Sequence, residues 1–195
     1  VAIDQGTTSS RVILFDISGN IKFKYQQEFK QYFPKNGWVE HNPNEIWKTT
    51  LKSLKKVIQK ANKLNGKILS IGITNQRETT VIWNKQNGKT IYNAIVWQDR
   101  RTQQYCKNLK KNNFENKIRN KTGLFIDPYF SATKIKWILN NVKSSKKLLK
   151  SDDLLFGTID TFLIWKLTKG QKHLTETTNA SRTMLFNINT NKWDK

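Results

Sequence analysis

The first fifteen residues most constrain what this chain can fold into. Three apolar residues, Val1 to Ile3, end in Asp4 and run through Gln5, Gly6, Thr7, Thr8, Ser9, Ser10 and Arg11 into a second apolar run, Val12 to Phe15. Two β-forming runs joined by a Gly/Thr/Ser turn predict a hairpin that leads a sheet. Such a turn also suits phosphate. Gly6 is expected to let the backbone turn tightly, the amides and hydroxyls after it can face phosphate oxygens, and a carboxylate at a strand end can hold a hydrated Mg²⁺. Neither GxxxxGK[ST] nor GxGxxG is present. Taken alone, the stretch reads as well as an ordinary turn as it does as a phosphate cradle.

The periodicity that follows alternates strands and helices. Strands are predicted at 1–4, 11–17 and 21–29, the last two joined by Ser18-Gly19-Asn20. After a loop from Tyr32 to Asn44, Asn42-Pro43 predicts a helix start. Ile46, Trp47, Leu51, Leu54, Ile58, Ala61 and Leu64 recur at helical spacing, and Gly66 marks the end. The nearly continuous apolar run in 67–74 predicts a central strand covered on both faces. A hairpin is expected from Val81–Trp83 and Thr90–Trp97, turned by Asn87-Gly88. Helices are expected near 102–112, 115–122, 131–142, 144–151 and 159–168, with a strand at 154–157. The fold class is α/β, one layered domain with a mixed β-sheet flanked by helices.

Charge narrows the function classes. A formal charge of +21 would by itself suggest nucleic acid or an anionic surface, yet 29 lysines stand against six arginines and are spread along the chain. Nucleic-acid grooves concentrate arginine and stacked aromatics, so the lysines read as solvated faces. No apolar run is long enough to span a membrane. The single cysteine, Cys106, excludes an internal disulfide framework and fits a reducing cytoplasm. The chain opens on Val1 within a strand and its one methionine is Met184, so it is expected to continue beyond both ends.

Three polar clusters follow predicted strand ends, where open α/β sheets place ligands. Besides the first turn they are Gln76-Arg77-Glu78 and Trp97-Gln98-Asp99-Arg100-Arg101. An adjacent Arg-Glu pair offers donors and acceptors side by side and suits a small polyol, but taken alone it reads first as a structural ion pair at a sheet edge. Trp97 could wall a carbon skeleton or simply be core. Tyr129, in Asp127-Pro128-Tyr129-Phe130-Ser131, could present its hydroxyl to a pocket or pack under the next helix. The polar stretch Thr178–Thr183 reads as a structural loop. His41 and His173 stand without a second ligand at metal spacing, so no zinc site is expected.

In order along the chain, DQGTTSSR (4–11), GWVEHNP (37–43), IGITNQRETT (71–80), YNAIVWQDRRT (92–102), TGLFIDPYFSATK (122–134), FGTIDTFLIWKLT (156–168) and TNASRTMLFNI (178–188) resemble the N-terminal domain of the glycerol kinases, in the FGGY carbohydrate kinase family. The resemblance runs over residues 1–195 and implies a ribonuclease H-like, actin/hexokinase-type ATPase domain whose second domain lies outside this sequence. It implies ATP-dependent phosphorylation of glycerol. Thr7, Thr8, Ser9 and Arg11 would meet the nucleotide and its phosphates, and Asp4 would orient hydrated Mg²⁺ through water. Arg77, Glu78, Trp97 and Tyr129 would bind glycerol. The general base would lie downstream, leaving this stretch inactive by itself. The resemblance further implies a cytoplasmic homo-oligomer with no nucleic-acid partner and no membrane insertion. Departures from the family pattern are confined to positions such as Asn42 and Asp99, and to added surface lysines. Two other readings stay open: a kinase for another polyol or a ketose, and a basic nucleic-acid-binding domain on the same fold.

Overall fold

Asn42 starts the longest helix, as its neighbours predict. In the computed structural model, which describes residues 1–194, the Asn42 side chain accepts from the Asn44 amide at 2.9 Å and Pro43 opens α1 (Pro43–Lys63). The other end is closed by a Schellman arrangement. The Gly66 amide donates to the Ala61 carbonyl and the Asn65 amide to that of Asn62. Asn65, at φ 53°, takes the left-handed position that the sequence suggested for Gly66. The buried stripe is Ile46, Thr49, Thr50, Ser53, Leu54, Val57 and Ala61. It is rotated from the expected one: Val57 replaces Ile58, and Leu64 is exposed because the helix has already ended.

The strands, in chain order, are β1 (Ala2–Gln5), β2 (Ser9–Phe15), β3 (Ile21–Glu28), β4 (Gln31–Tyr32), β5 (Glu40–His41), β6 (Gly72–Asn75), β7 (Val81–Asn84), β8 (Ala94–Ile95), β9 (Leu154–Gly157), β10 (Phe186–Asn187) and β11 (Lys192–Trp193). The remaining helices are α2 (Gln103–Lys111), α3 (Phe114–Thr122), α4 (Ser131–Asn141), α5 (Lys143–Lys150), α6 (Ile159–Leu167) and α7 (Thr177–Ala180). Among the described residues no helix is long and apolar enough to cross a membrane. The chain divides into two compact units, one of Val1–Gln31 with His41–Gln76, the other of Tyr32–Glu40 with the residues from Arg77 onward.

The first unit holds a four-stranded mixed sheet in the order β3-β2-β1-β6, with β2 antiparallel and β6 parallel to β1. Its core of Ile3, Val12, Ile46, Leu54 and Val57 is fully or nearly fully buried. Small hydroxyls let α1 sit close to the sheet: Ser10 Oγ lies 2.9 Å from Thr49 Oγ1 and accepts from Thr50 Oγ1 at 3.1 Å. The strand expected at 67–74 is confined to Gly72–Asn75 and lies at the sheet's edge. The register sets Gly72 opposite Ala2, so residues 67–71 run past the end of β1, and Leu69 and Ile71 are exposed.

In the second unit the expected hairpin is present but irregular: antiparallel bridges join Trp83 to Thr90 and Thr80 to Ile95, the Asn84 amide donates to the Lys89 carbonyl at 2.9 Å across the turn, and β7 pairs on its other side antiparallel with β9. Ile82, Ile95 and Ile138 form the centre of this core, while buried Trp83 stacks edge-on against Phe162 and His173. An Arg101 guanidinium with no exposed side-chain surface joins Glu40 at 2.7 Å and Asp99 at 2.8 Å, beneath the Trp38 and Trp137 rings. Tyr92 donates to Glu40 at 2.7 Å. Asp99 and Arg101, read from sequence as part of a polar cluster after a strand, are thus committed to a buried structural ion network.

Candidate functional site

In the first unit, β1 and β2 deliver the Gly6–Ser9 turn, closed by the Gly6 amide donating to the Ser9 carbonyl at 2.9 Å. Thr8 is exposed, and Thr7, Ser9 and Arg11 are half-buried. Gly6 is not in the left-handed region, and a Cβ there would make only ordinary contact, 3.5 Å from the Ser9 carbonyl oxygen. The tight-turn role expected for Gly6 is therefore not met; the turn depends on its hydrogen bonds. Arg11 forms an ion pair with Asp4 Oδ2, and both side chains remain partly exposed.

Beneath the turn lies a polar network that spacing did not reveal. Gln31 Nε2 donates to the Thr7 carbonyl at 2.9 Å, and Gln76 Nε2 lies 3.0 Å from the Gly6 carbonyl. His41, fully buried, joins the two: its Nε2 is 2.6 Å from Gln31 Oε1 and its Nδ1 is 3.3 Å from Gln76 Nε2. Burial lowers its pKa to about 4, so the ring is neutral at pH 7, with the proton on Nε2 and Nδ1 accepting. An isolated histidine in sequence is here the bridge between two glutamines that hold the turn's carbonyls.

Asp4 tests the fit to a metal. Its Oδ2 is taken by Arg11, and Oδ1 has no protein partner among the described residues. No group of three or more His, Cys, Asp or Glu among the described residues could cage an ion. A lone, partly exposed carboxylate fits a hydrated Mg²⁺ that arrives on phosphate oxygens better than an ion held wholly by protein.

In the second unit, Glu78 lies in the turn formed by Arg77 and Glu78. It is buried with φ 61°, a left-handed conformation costly for a residue with a side chain. Its carbonyl accepts from Ser131 Oγ and Thr80 Oγ1, both at 3.2 Å, and lies 3.5 Å from Lys134 Nζ. Lys134 also donates to the Tyr129 carbonyl. Wholly buried, Lys134 has its pKa lowered by desolvation to about 7, opposed by the charges of Asp99, Glu78 and Asp127. Asp127 accepts from the Tyr129 amide at 2.8 Å and fixes that loop. The Tyr129 ring lies 5.5 Å from the Trp97 ring. On the carboxylate side, Arg182 Nε donates to Glu78 Oε1 at 2.5 Å, with its guanidinium 5.5 Å from the Tyr129 ring.

Glu78, Tyr129 and Trp97 are thus brought together. Arg77, their neighbour in sequence, is exposed, and among the described residues its side chain makes no hydrogen bond or ion pair. Arg182 and Lys134 are the members that sequence reading missed. They come from 104 and 56 residues away, and only the motif stretches containing them, 178–188 and 122–134, hinted at either.

The profile of the FGGY family of carbohydrate kinases, N-terminal domain, matches residues 1–195. The chain belongs to this family. It is 60% identical over 195 residues to a glycerol kinase of a Thermoanaerobacter species and 58% identical over 194 residues to that of Escherichia fergusonii. Each comparison covers 100% of this chain, which spans 39% of the length of these curated relatives. A Plasmodium falciparum glycerol kinase crystallised with ADP superposes at a TM-score of 0.94 with 40% identity, over 99% of this chain and 38% of that one. The FGGY fold is the actin/hexokinase-type ATPase fold expected from the motifs.

Proposed function

We propose that the full-length protein is an ATP-dependent glycerol kinase making sn-glycerol 3-phosphate for glycerol catabolism. The observation that carries this is the identity to named glycerol kinases along the entire chain, 58% and 60% in the two relatives above. Thr7, Thr8, Ser9 and Arg11 hold the nucleotide's phosphates in this reading, and Arg77, Glu78, Tyr129 and Trp97 hold glycerol. The terminal hydroxyl oxygen attacks the γ-phosphorus, and a new O–P bond forms as the bond from that phosphorus to the bridging oxygen breaks. The electron pair leaves with ADP, and the hydroxyl proton passes to a base outside residues 1–195. Mg²⁺, oriented by Asp4 through water, would supply charge neutralisation at the phosphate oxygens. The protein acts in the cytoplasm as a homo-oligomer.

A coupled ADP-release assay on full-length protein tests this, with glycerol, a pentulose and gluconate offered in turn. Glycerol is the expected acceptor, and turnover of a pentulose with none on glycerol would overturn the reading. Arg77→Ala is expected to raise the glycerol KM roughly tenfold or more, as loss of a charged hydrogen-bond donor does, with a much smaller change for ATP. An unchanged glycerol KM would remove Arg77 from the pocket.

A further inference from the structure

Glu78 is held from both ends by groups that no part of the reading above uses. Its backbone stands in a left-handed conformation that an acidic residue adopts only when its surroundings over-determine it. Three donors from one side converge on its carbonyl, two of them, Ser131 and Lys134, from the first turn of α4. Lys134 is the unexpected member. A lysine with no exposed surface usually has a carboxylate in hydrogen-bonding contact, whereas this one is spent on two carbonyls, those of Tyr129 and Glu78. It ties the backbones of two residues that would bind the same small molecule.

The opposite end is held by Arg182. Its Nε engages Glu78 Oε1, while Oε2 has no protein partner among the described residues. A carboxylate with one oxygen fixed and one open is pinned in orientation and still able to accept a hydrogen bond from a ligand hydroxyl. Arg182 is itself positioned rather than mobile. It follows α7, which Glu176 caps through the Thr178 and Asn179 amides, and the Ala132 amide at the start of α4 donates to the Thr183 carbonyl at 2.8 Å. The same helix terminus therefore fixes the Glu78 carbonyl and the segment carrying Arg182.

We propose that Lys134 and Arg182 are positioning residues that clamp Glu78, Lys134 through its carbonyl and Arg182 through its carboxylate, so that one carboxylate oxygen is presented to an acceptor hydroxyl. The proposal rests on the glycerol kinase reading. Neither residue touches the reacting atoms; each sets how well Glu78 receives the polyol, and the signature is a rise in the glycerol KM with the ATP KM preserved.

A double-mutant cycle in the full-length protein tests it. Arg182→Ala is expected to raise the glycerol KM about tenfold, the scale of losing one charged hydrogen bond, and to change the ATP KM less than about twofold. In the Glu78→Ala background the same substitution is expected to add nothing, because the group it acts through is gone. Additive effects, or an Arg182→Ala glycerol KM equal to wild type, would overturn the clamp. Lys134→Met supplies a second readout: its crystal structure should show the Glu78 and Tyr129 carbonyls displaced and Glu78 out of the left-handed region, and an unmoved Glu78 backbone would overturn the carbonyl half. The Arg182 cycle decides the carboxylate half whether or not Lys134→Met folds. The two levels separate cleanly, since wild-type protein that ignores glycerol overturns the functional reading and the clamp together. Wild-type turnover with additive mutants overturns the clamp alone.

Discussion

His41 shows how a single buried group couples the Gly6–Ser9 turn to pH. In the unfolded chain its pKa is that of free imidazole, about 6.5, whereas in the folded protein burial lowers it to about 4. Between these values the unfolded state binds a proton that the folded state refuses, so stability rises with pH across the window and falls as pH drops through it. The full contribution is on the order of 3 kcal/mol, present above about pH 6.5 and lost by about pH 4. Urea unfolding of full-length protein at pH 5 and pH 7 should show about 2 kcal/mol of this loss, and His41→Gln, which cannot titrate, should flatten the slope. Equal slopes in the two proteins would mean that the ring is not held neutral. At this scale the sequence singled out Glu78 and Tyr129 as candidates but not the groups that hold them. Adjacent residues advertise a site, whereas Arg182 reaches Glu78 across 104 positions and His41 reaches Gln31 and Gln76 through side chains whose spacing has no periodicity.

Among the elements, those governed by local chemistry were legible and those governed by pairing were not. The start of α1 follows from Asn42 and Pro43, and its Schellman end follows from Asn65-Gly66, all within a few residues of the helix they bound. The Asn87-Gly88 turn was legible for the same reason, whereas the apolar run at 67–74 and the second partner of β7 were not, because strand pairing is a long-range choice. Neither the register of Gly72 against Ala2 nor the preference of β7 for β9 is written in the run itself. The β7–β9 pair has a sharp steric consequence at Gly157. A Cβ there would lie 2.7 Å from Thr161 Cβ and 2.9 Å from Trp83 Cη2, and Trp83 is already wedged against Phe162 and Trp165. Gly157→Ala is therefore expected to destabilise the protein by about 1–3 kcal/mol, the usual cost of overpacking a filled core. A shift of less than about 0.5 kcal/mol in chemical denaturation would show that Trp83 has room to move.

Over the whole chain, the charge of +21 acquires a different meaning from the one composition suggests. Several carboxylates are already paired, Asp99 and Glu40 with buried Arg101, Glu78 with Arg182, and Asp4 with Arg11. The unpaired excess is mostly lysine, which sets up a positive field reaching about one Debye length into solvent, roughly 8 Å at physiological ionic strength and about 30 Å at 0.01 M. That field attracts ATP, a polyanion, and leaves glycerol, which is neutral, unaffected. Under the proposed function, the two substrates should thus respond differently to salt. In full-length protein the KM for ATP is expected to rise at least about twofold as NaCl goes from roughly 10 to roughly 150 mM, while the glycerol KM stays constant. Equal shifts for both substrates would point to a general effect on the fold. A constant ATP KM would mean that the lysines are too dispersed, or too well balanced by the remainder of the protein, to guide the nucleotide. A steep dependence of oligonucleotide binding persisting to physiological salt would instead favour the nucleic-acid reading, since phosphate contacts release counterions in proportion to their number.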